Sequence, residues 1–338
     1  MMARRSALGA KPPGAASPRD QRRSADLTRE LVVACYRQLL GREPEDDAVV
    51  REKHGQTAEE IVRSFLASPE YTQRYPPHFL THYLERPRAI DVEVGAKQLA
   101  AMFERIRAEW SELGQADPFW SVLTDDAYHA DAIGEEALRR FHESGLETAS
   151  LIDLIANRCG IVPRREGLCI EFGCGVGRVT AHLAQRFERV LAVDISPGNL
   201  AVCREMLDRL GLSNVETRLL ESPSEIASLP AHDFFFSTIV LQHNPPPIQH
   251  YILDKILKKI SDGGLFLFQL PTNTPNYSFD ASAYLASPPS GMELHCLPMA
   301  SVLSLLAKHR LTPLEVMMDG WTGLYGSHTF FGVKRSIG

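Results

Sequence analysis

The second half of the chain alternates between short apolar runs and amphipathic stretches, with turn residues between them. Apolar runs occur at residues 168–172, 190–194, 215–220, 233–241, 265–270, 312–318 and 329–333. Short apolar runs that alternate with helical patterns are typical of buried strands in a parallel sheet whose faces are covered by helices. The pattern therefore predicts an α/β fold for this half of the chain.

The first half shows helical periodicity instead. Apolar residues recur at helical spacing from Leu27 to about residue 40, and the Gly-Arg-Glu-Pro sequence of residues 41–44 stops that helix. A second helix is predicted near Asp47. A third begins after Thr57, because Thr57 and Glu60 have the spacing of a capping box. These patterns predict a small all-α domain.

Domain limits follow from these changes of pattern. Residues 1–25 are rich in Arg, Ala, Ser, Pro and Gly and predict a disordered tail. The helical domain is assigned to residues 26–85. Residues 86–129 are interpreted as a helical connector, which begins with one amphipathic helix that ends near residue 110. The α/β domain is assigned to residues 130–338.

A glycine-rich turn follows the first apolar run. Residues 168–178 read Leu-Cys-Ile-Glu-Phe-Gly-Cys-Gly-Val-Gly-Arg. Glycines let the backbone turn sharply and let a ligand lie against it, and a strand, a glycine turn and a helix in this order predict a nucleotide-type site. Arg178 stands where a dinucleotide fingerprint has Gly or Ala. A nucleotide-dependent oxidoreductase that binds NAD is therefore the weaker enzymatic alternative.

A second acid ends the next predicted strand. Asp194 lies 17 residues past Gly177. This position suits a carboxylate that accepts both hydroxyls of a ribose, because ligands collect beyond the carboxyl ends of parallel strands. We therefore predict that Asp194 is the ribose ligand.

The glycine turn, with Glu171 before it and Asp194 at the next strand tip, resembles that of the class I S-adenosylmethionine-dependent methyltransferases. Within that class it is most similar to the bacterial methyltransferase domains of types 11 and 12. The resemblance covers roughly residues 130–338 and implies a Rossmann-like seven-stranded sheet whose last strand is antiparallel. S-adenosyl-L-methionine is the implied cofactor. The implied ligands are Glu171, Gly173, Cys174, Gly175 and Gly177 at its methionine part, Asp194 and Ile195 at its ribose, and Glu221 and Ser222 on its adenine side.

The loop after the fourth strand carries the predicted chemistry. It contains Gln242, His243 and Asn244, and the resemblance implies that it faces the transferable methyl group. Because imidazole accepts a hydroxyl proton near neutral pH, His243 is the candidate catalytic base, with a loop-fixing hydrogen bond as its alternative role. Gln242 is assigned to the cofactor. The long connection at residues 271–299 is assigned to acceptor recognition, with His295 as an alternative base.

Composition and charge exclude several classes. The chain has 338 residues, enough for about two domains, and it is 44% hydrophobic and 23% charged, as soluble globular proteins are. The net charge of -6 disfavours nucleic acid as a partner, and no apolar run is long enough to span a membrane. The six cysteines have no paired spacing. Neither a metal site nor a disulfide framework is predicted, and a cytoplasmic location is expected.

The front domain adds a second resemblance. Residues 36–44 together with residues 65–71 resemble a small bacterial helical domain of unknown function that is related to phycobilisome-linker repeats. Such domains often accompany glycan-modifying enzymes. The resemblance makes this domain the expected site of any protein partner.

These observations predict a methyltransferase that acts on a hydroxyl of a sugar, a glycan-like intermediate or another small molecule. Aromatic and amide side chains interleave in residues 273–284, which favours a polyhydroxylated ligand, and no basic stripe accompanies them. The alternative is a non-catalytic module of the same fold that recruits partners through the helical domain. The intact glycines and Asp194 argue against that alternative.

Overall fold

The computed structural model describes residues 28–74, 89–274, 277–322 and 326–336. The chain divides into two compact units, residues 1–86 and 87–338. The predicted disordered tail, residues 1–25, lies outside the described residues, and so does Leu27. Across the described ranges, no helix combines the length and the apolar character that crossing a membrane requires.

The described residues of the first unit, 28–74, form four helices around a small apolar core. These helices are α1 at residues 28–40, whose last turn, Tyr36–Leu40, is a π-helix, α2 at Asp47–Arg51, α3 at Ala58–Leu66 and α4 at Pro69–Arg74. The core contains Val32, Cys35, Leu40, Val50, Ile61 and Phe65. The predicted capping box is confirmed, because the N–H of Glu60 donates to Thr57 Oγ1 at 3.2 Å and the N–H of Thr57 donates to Glu60 Oε2 at 2.7 Å.

Three helices precede the sheet in the second unit: α5 at Ala96–Ala116, α6 at Pro118–Val122 and α7 at Glu135–Arg158. The amphipathic helix predicted from about residue 86 to Trp110 therefore begins ten residues later than expected and ends later too. Ile90, Val92 and Val94 do pack against the core, but they alternate with polar residues in an extended segment. Their period is that of a strand, and Ile90 forms an isolated bridge with Phe279.

A seven-stranded sheet forms the centre of this unit, in the order β3-β2-β1-β4-β5-β7-β6. Its strands are β1 at Leu168–Phe172, β2 at Arg189–Asp194, β3 at Val215–Leu219, β4 at His232–Ser237, β5 at Ile260–Pro271, β6 at Leu311–Asp319 and β7 at Ser327–Lys334. The first five strands pair in parallel, and β7 pairs antiparallel with both β5 and β6. The predicted fold class is confirmed, including the antiparallel last strand.

Helices cover both faces of the sheet. The remaining ones are α8 at Thr180–Ala184, α9 at Pro197–Leu210, α10 at Pro223–Ser228, α11 at Pro246–Lys258, α12 at Ala281–Ala286 and α13 at Met299–Lys308. β4 ends at Ser237, although its apolar run continues to residue 241. The chain leaves the sheet at Ile239, whose φ is 59°, and residues 238–244 become the loop that reaches the functional site.

Candidate cofactor site

A cavity of about 100 Å³ lies at the carboxyl ends of β1, β2 and β4. Its floor is the glycine turn, and its roof is formed by α5 and α6. The loop of residues 238–244 closes one end. This is the edge of the sheet where ligands of open α/β folds collect.

The glycine turn approaches its surroundings closely. Gly175 has a φ of 54°, and a Cβ atom added there would lie 2.6 Å from Cγ2 of Val122 in α6. A side chain would therefore push the roof away from the turn. Gly177, which we predicted as a cofactor ligand, does not line the cavity. A Cβ atom there would lie 2.8 Å from Sγ of Cys203, so this glycine serves the packing of the turn against α9.

Asp194 joins the end of β2 to the glycine turn. Its Oδ2 accepts from the N–H of Gly175 at 2.8 Å, and its Oδ1 accepts from the N–H of Ser196 at 2.8 Å. Asp194 is 8% exposed and lines the cavity together with Ile195. Burial raises the pKa of its carboxyl above the ordinary value. Each carboxylate oxygen can accept a further hydrogen bond, so the group can hold the turn and also receive a ligand.

Glu171 and Arg178 place a buried acid and a buried cation at the two ends of the glycine turn. Glu171 is 3% exposed, and its Oε2 has no partner at hydrogen-bond geometry. Burial raises the pKa of Glu171 to about 8, although the nearby Thr180 hydroxyl and Arg178 guanidinium favour its ionised form. The group is therefore largely protonated at neutral pH, and a cationic donor beside Oε2 would favour the carboxylate.

Arg178 is equally buried, at 5% exposure, and lines the same cavity. Its Nη1 donates to two hydroxyls of α7, Ser144 Oγ at 3.2 Å and Thr148 Oγ1 at 3.1 Å, while its Nε has no partner. The nearby Glu171 carboxyl attracts the guanidinium, while burial lowers the pKa of Arg178. From the sequence, Arg178 served only as evidence against a dinucleotide and was not predicted to bind the cofactor. A cation directly after the third glycine was the available signal.

The opposite end of the cavity is formed by the loop after β4. His243 lines it, and the centroid of its ring lies 5.0 Å from that of Trp110. Nδ1 of His243 lies 3.2 Å from the carbonyl oxygen of Glu293. Burial lowers the pKa of His243 to about 4, so the imidazole is neutral near pH 7. Asn244 also lines the cavity.

Three other residues that we predicted as cofactor ligands do not line the cavity. Gln242 is 3% exposed and is turned back toward β5, where its Oε1 accepts from Gln269 Nε2 at 3.1 Å. Glu221 is exposed and Ser222 is half-buried, both beyond the end of β3. Leu220, which precedes them, is the lining residue from this strand end. The roles of Gln242, Glu221 and Ser222 in cofactor binding stay predictions.

The residues that form the roof of the cavity were not singled out from the sequence. Trp110 of α5 and Ser121 and Val122 of α6 line it. Ser121 Oγ lies 3.3 Å from the side-chain amide of Asn199 in α9, which ties α6 to the β2 side of the site. The break at Asp117, followed by the proline at the start of α6, turns the chain back over the glycine turn.

The connection at residues 271–299 does not bring its aromatic residues into the cavity. Tyr277 hydrogen-bonds to His295 Nδ1 at 2.9 Å, and Arg105 of α5 lies over the ring of Tyr284, 4.0 Å from its centroid. Burial lowers the pKa of His295 to about 4. Of the residues for which we expected acceptor contacts, Asn276 lies outside the described ranges. Acceptor recognition by this connection stays a prediction.

Comparisons with known proteins agree with this geometry. Residues 169–264 match the family model of a methyltransferase domain. Carboxy-S-adenosyl-L-methionine synthase of Dichelobacter nodosus is 26% identical over 129 residues, which are 37% of this chain and 54% of that protein. A probable cobalt-precorrin-6B C(15)-methyltransferase (decarboxylating) of Methanothermobacter thermautotrophicus is 33% identical over 76 residues, 22% of this chain and 40% of that protein. The chain thus spans about half, or less, of the length of these curated relatives.

Among solved structures, magnesium protoporphyrin IX methyltransferase from Synechocystis has a TM-score of 0.47 and 17% sequence identity, over 67% of this chain and 98% of that one.

The family match begins within β1 and ends within β5, so it contains the glycine turn, Asp194 and His243. The chain therefore contains a methyltransferase domain, as the sequence predicts. The matched residues lie wholly in the second unit, and the phycobilisome-linker resemblance of the first unit stays a prediction.

Proposed function

We propose that this chain is an S-adenosylmethionine-dependent methyltransferase that methylates a hydroxyl of an uncharged small molecule. The match of residues 169–264 to a methyltransferase domain supports the reaction class. The observation that carries the proposal is the pair Glu171 and Arg178, a buried acid and a buried cation at the glycine turn with unpartnered atoms, Oε2 and Nε.

S-adenosylmethionine fits these residues because its amino-acid end is a zwitterion. Its ammonium group would pair with Glu171, which would ionise beside that cation, and its carboxylate would pair with Arg178. Asp194 would accept the ribose hydroxyls, and Ile195 and Leu220 offer apolar surface for the adenine. The backbone of Gly173, Cys174 and Gly175 would lie against the ligand.

The bound cofactor would supply an activated methyl group on its sulfonium. The protein then has to hold an acceptor in line with that group and keep water out. Helices α5 and α6 cover the site and would keep water out. The loop of residues 238–244 lies where the acceptor would be held, and His243 is the polar side chain that we place against the acceptor hydroxyl.

The role of His243 is limited by its protonation state. A pKa of about 4 makes its imidazole a weak base. Its Nε2 can accept a hydrogen bond from a hydroxyl in place of the 3.3 Å contact with Gln242 Nε2 and so orient the oxygen toward the methyl group, but it holds a removed proton poorly at neutral pH. We therefore propose that His243 acts mainly by orienting the acceptor.

The walls of the cavity favour a neutral acceptor. Its charged lining residues, Glu171, Arg178 and Asp194, lie at the glycine turn and are assigned to the cofactor. Around the loop after β4 the lining is apolar or aromatic, from Phe103, Ile106 and Trp110, with the amide of Asn244. A sugar or glycan-like hydroxyl belongs to the class that such a surface accepts, with apolar contacts and a few hydrogen bonds.

The proposal also includes a protein partner and a cellular compartment. The first unit is the proposed site for a protein partner, because the second unit holds the whole cavity. All six cysteines are free thiols, which supports a reducing compartment and thus the cytoplasm.

Calorimetric titration with S-adenosylmethionine tests the cofactor, and transfer of a radiolabelled methyl group to fractionated cell extracts tests the acceptor class. Label in a neutral hydroxylated small molecule would support the proposal. Label in tRNA or a protein alone would contradict the acceptor class, and a folded chain that does not bind the cofactor would contradict the reaction.

A further inference from the structure

Ile239 has an unusual backbone conformation at the acceptor end of the cavity. Its φ of 59° lies in the left-handed region, and the residue lines the cavity between Thr238 and Val240. β-branched residues rarely adopt this region, and they do so only where the surroundings hold them in it. The strained turn is what directs residues 240–244 into the site instead of extending β4.

The side chain that holds Ile239 comes from β5. Gln269 is fully buried, at 0% exposure, and its Oε1 accepts from the N–H of Ile239 at 2.9 Å. Its Nε2 donates to Oε1 of Gln242 at 3.1 Å and to Oγ of Ser327 at 2.7 Å. One amide group therefore anchors both the start and the middle of the loop to the sheet.

Hydrogen bonds link the N–H of Ile239, through Gln269, Gln242 and His243, to the carbonyl oxygen of Glu293. Each donor and acceptor in this series is fixed, because the two end groups belong to the backbone. The N–H of Ile239 can only donate, so Gln269 presents its oxygen there and its nitrogen to Gln242. Gln242 accepts through its oxygen and presents its own nitrogen to Nε2 of His243, 3.3 Å away. On the far side of the ring, the carbonyl oxygen of Glu293 can only accept from Nδ1. His243 is thereby neutral, with its proton on Nδ1.

We propose that Gln269 is a positioning residue for the acceptor end of the site. It holds Ile239 in the left-handed conformation and, through Gln242, keeps a donor against Nε2 of His243, which supports the Nδ1–H tautomer that the carbonyl of Glu293 also favours. Gln242 turns away from the cavity because it is a link in this series. The inference rests on the proposed function only in placing His243 beside the acceptor, since the hydrogen bonds do not depend on which cofactor is bound.

Two substitutions of Gln269 separate its two tasks. Gln269→Leu removes both the acceptor and the donor, so the Ile239 amide should exchange with deuterium about tenfold faster or more. Gln269→Glu keeps an acceptor for Ile239 but cannot donate to Gln242 when ionised. In both variants, nitrogen NMR of labelled histidine should show His243 as a mixture of tautomers, with the signal assigned by its loss in His243→Gln.

Thr329→Val is the matched control. Thr329 is also buried, at 4% exposure, and its hydroxyl donates to Asp319 Oδ2 at 2.8 Å on the neighbouring strand. This variant loses a buried polar group directly across the sheet from Gln269 but removes none of the hydrogen bonds of Gln269 or of the loop. Its Ile239 exchange rate and His243 spectrum should match those of the wild type.

Adding Ile239→Gly tests the backbone part of the inference. Glycine adopts the left-handed region freely, so Gln269→Leu should shift the urea midpoint less in the glycine background than in the wild type. Equal shifts in the two backgrounds would overturn the holding role. A single unchanged His243 tautomer in both Gln269 variants would overturn the orienting role, and Gln269→Glu gives this answer if Gln269→Leu does not fold. Failure of the wild type to bind S-adenosylmethionine would contradict the proposed function and leave these results standing.

Discussion

The carboxylate of Asp194 accepts the backbone N–H of Gly175 at 2.8 Å, so the end of β2 and the glycine turn are held together by the same group that faces the ligand. The proposed ribose ligand is therefore also part of the framework of the site. Variants of this residue must be judged on both roles.

Asp194→Ala should weaken binding of S-adenosylmethionine roughly ten- to 150-fold, because hydrogen bonds to a charged group are each worth about 1.5–3 kcal/mol. Asp194→Asn keeps one acceptor oxygen and should lose less. Asp233→Ala is the control, since Asp233 Oδ2 accepts from the N–H of Leu168 at 3.0 Å at the opposite end of β1. If Asp194→Ala binds S-adenosylmethionine as tightly as the wild type in calorimetry, Asp194 is not the ribose ligand.

His243→Ala should lower methyl transfer while leaving the affinity for S-adenosylmethionine near that of the wild type. The residue is placed against the acceptor, so its loss acts on turnover and not on cofactor binding. Because its pKa is about 4, the rate of the wild type should show no titration of His243 between pH 6 and 8. Comparable losses of affinity and turnover would assign the residue to the cofactor site.

The contact between α7 and the glycine turn depends on a glycine. A Cβ atom at Gly145 would lie 2.8 Å from the carbonyl carbon of Arg178. Gly145→Ala should therefore destabilise the domain and weaken cofactor binding at least severalfold, although alanine alone would favour the helix by about 1 kcal/mol. Gly134→Ala adds the same methyl group where no atom lies within 4 Å and should leave binding intact. A more stable Gly145→Ala with full affinity would show that this contact is not needed.

Stability should fall steeply in mild acid. Burial lowers the pKa values of His232, His243 and His295 to about 4, so unfolding takes up their protons as the pH drops below about 6.5. Burial also raises the pKa of Glu171 to about 8, so the folded state holds one proton that the unfolded state releases. For these four groups the difference is about two protons, which predicts a loss of roughly 2 to 3 kcal/mol per pH unit between pH 6 and 5.

Urea unfolding at a series of pH values measures this slope. His232 is the useful test residue because it lies at the start of β4, away from the cavity, with its Nε2 unpartnered. His232→Phe should reduce the slope by about one proton. A slope that is the same in the variant and the wild type would mean that His232 is not the neutral buried group described above.

The sequence predicts those parts of the site whose structure depends on residues close together in the chain. The strand, the glycine turn and the acid at Asp194 are set by short-range patterns, so their fold and their place at one sheet edge follow from the chain itself. The direction in which a polar side chain points after a strand depends on residues that are distant in the sequence. Gln242 turns inward because Gln269, 27 positions later in the chain, offers it a buried amide.

The residues that line the roof of the cavity depend on tertiary contacts in the same way. Val122 can lie over Gly175 only because α5 and α6 fold back across the sheet, and helical periodicity in those residues reports a buried face without saying what it covers. Glu221 and Ser222 show the reverse case. They follow β3 as expected, but they lie at the surface, and Leu220 lines the cavity instead.

The central claim is that Glu171 and Arg178 receive the zwitterionic end of S-adenosylmethionine, and one comparison of ligands tests it directly. Arg178→Leu should bind S-adenosylmethionine about tenfold more weakly or worse than the wild type, because the carboxylate loses a charge-assisted partner. The same variant should bind 5′-methylthioadenosine, which lacks the amino-acid end, as well as the wild type does. Wild-type affinity of Arg178→Leu for S-adenosylmethionine, or an equal loss for both ligands, would contradict the account.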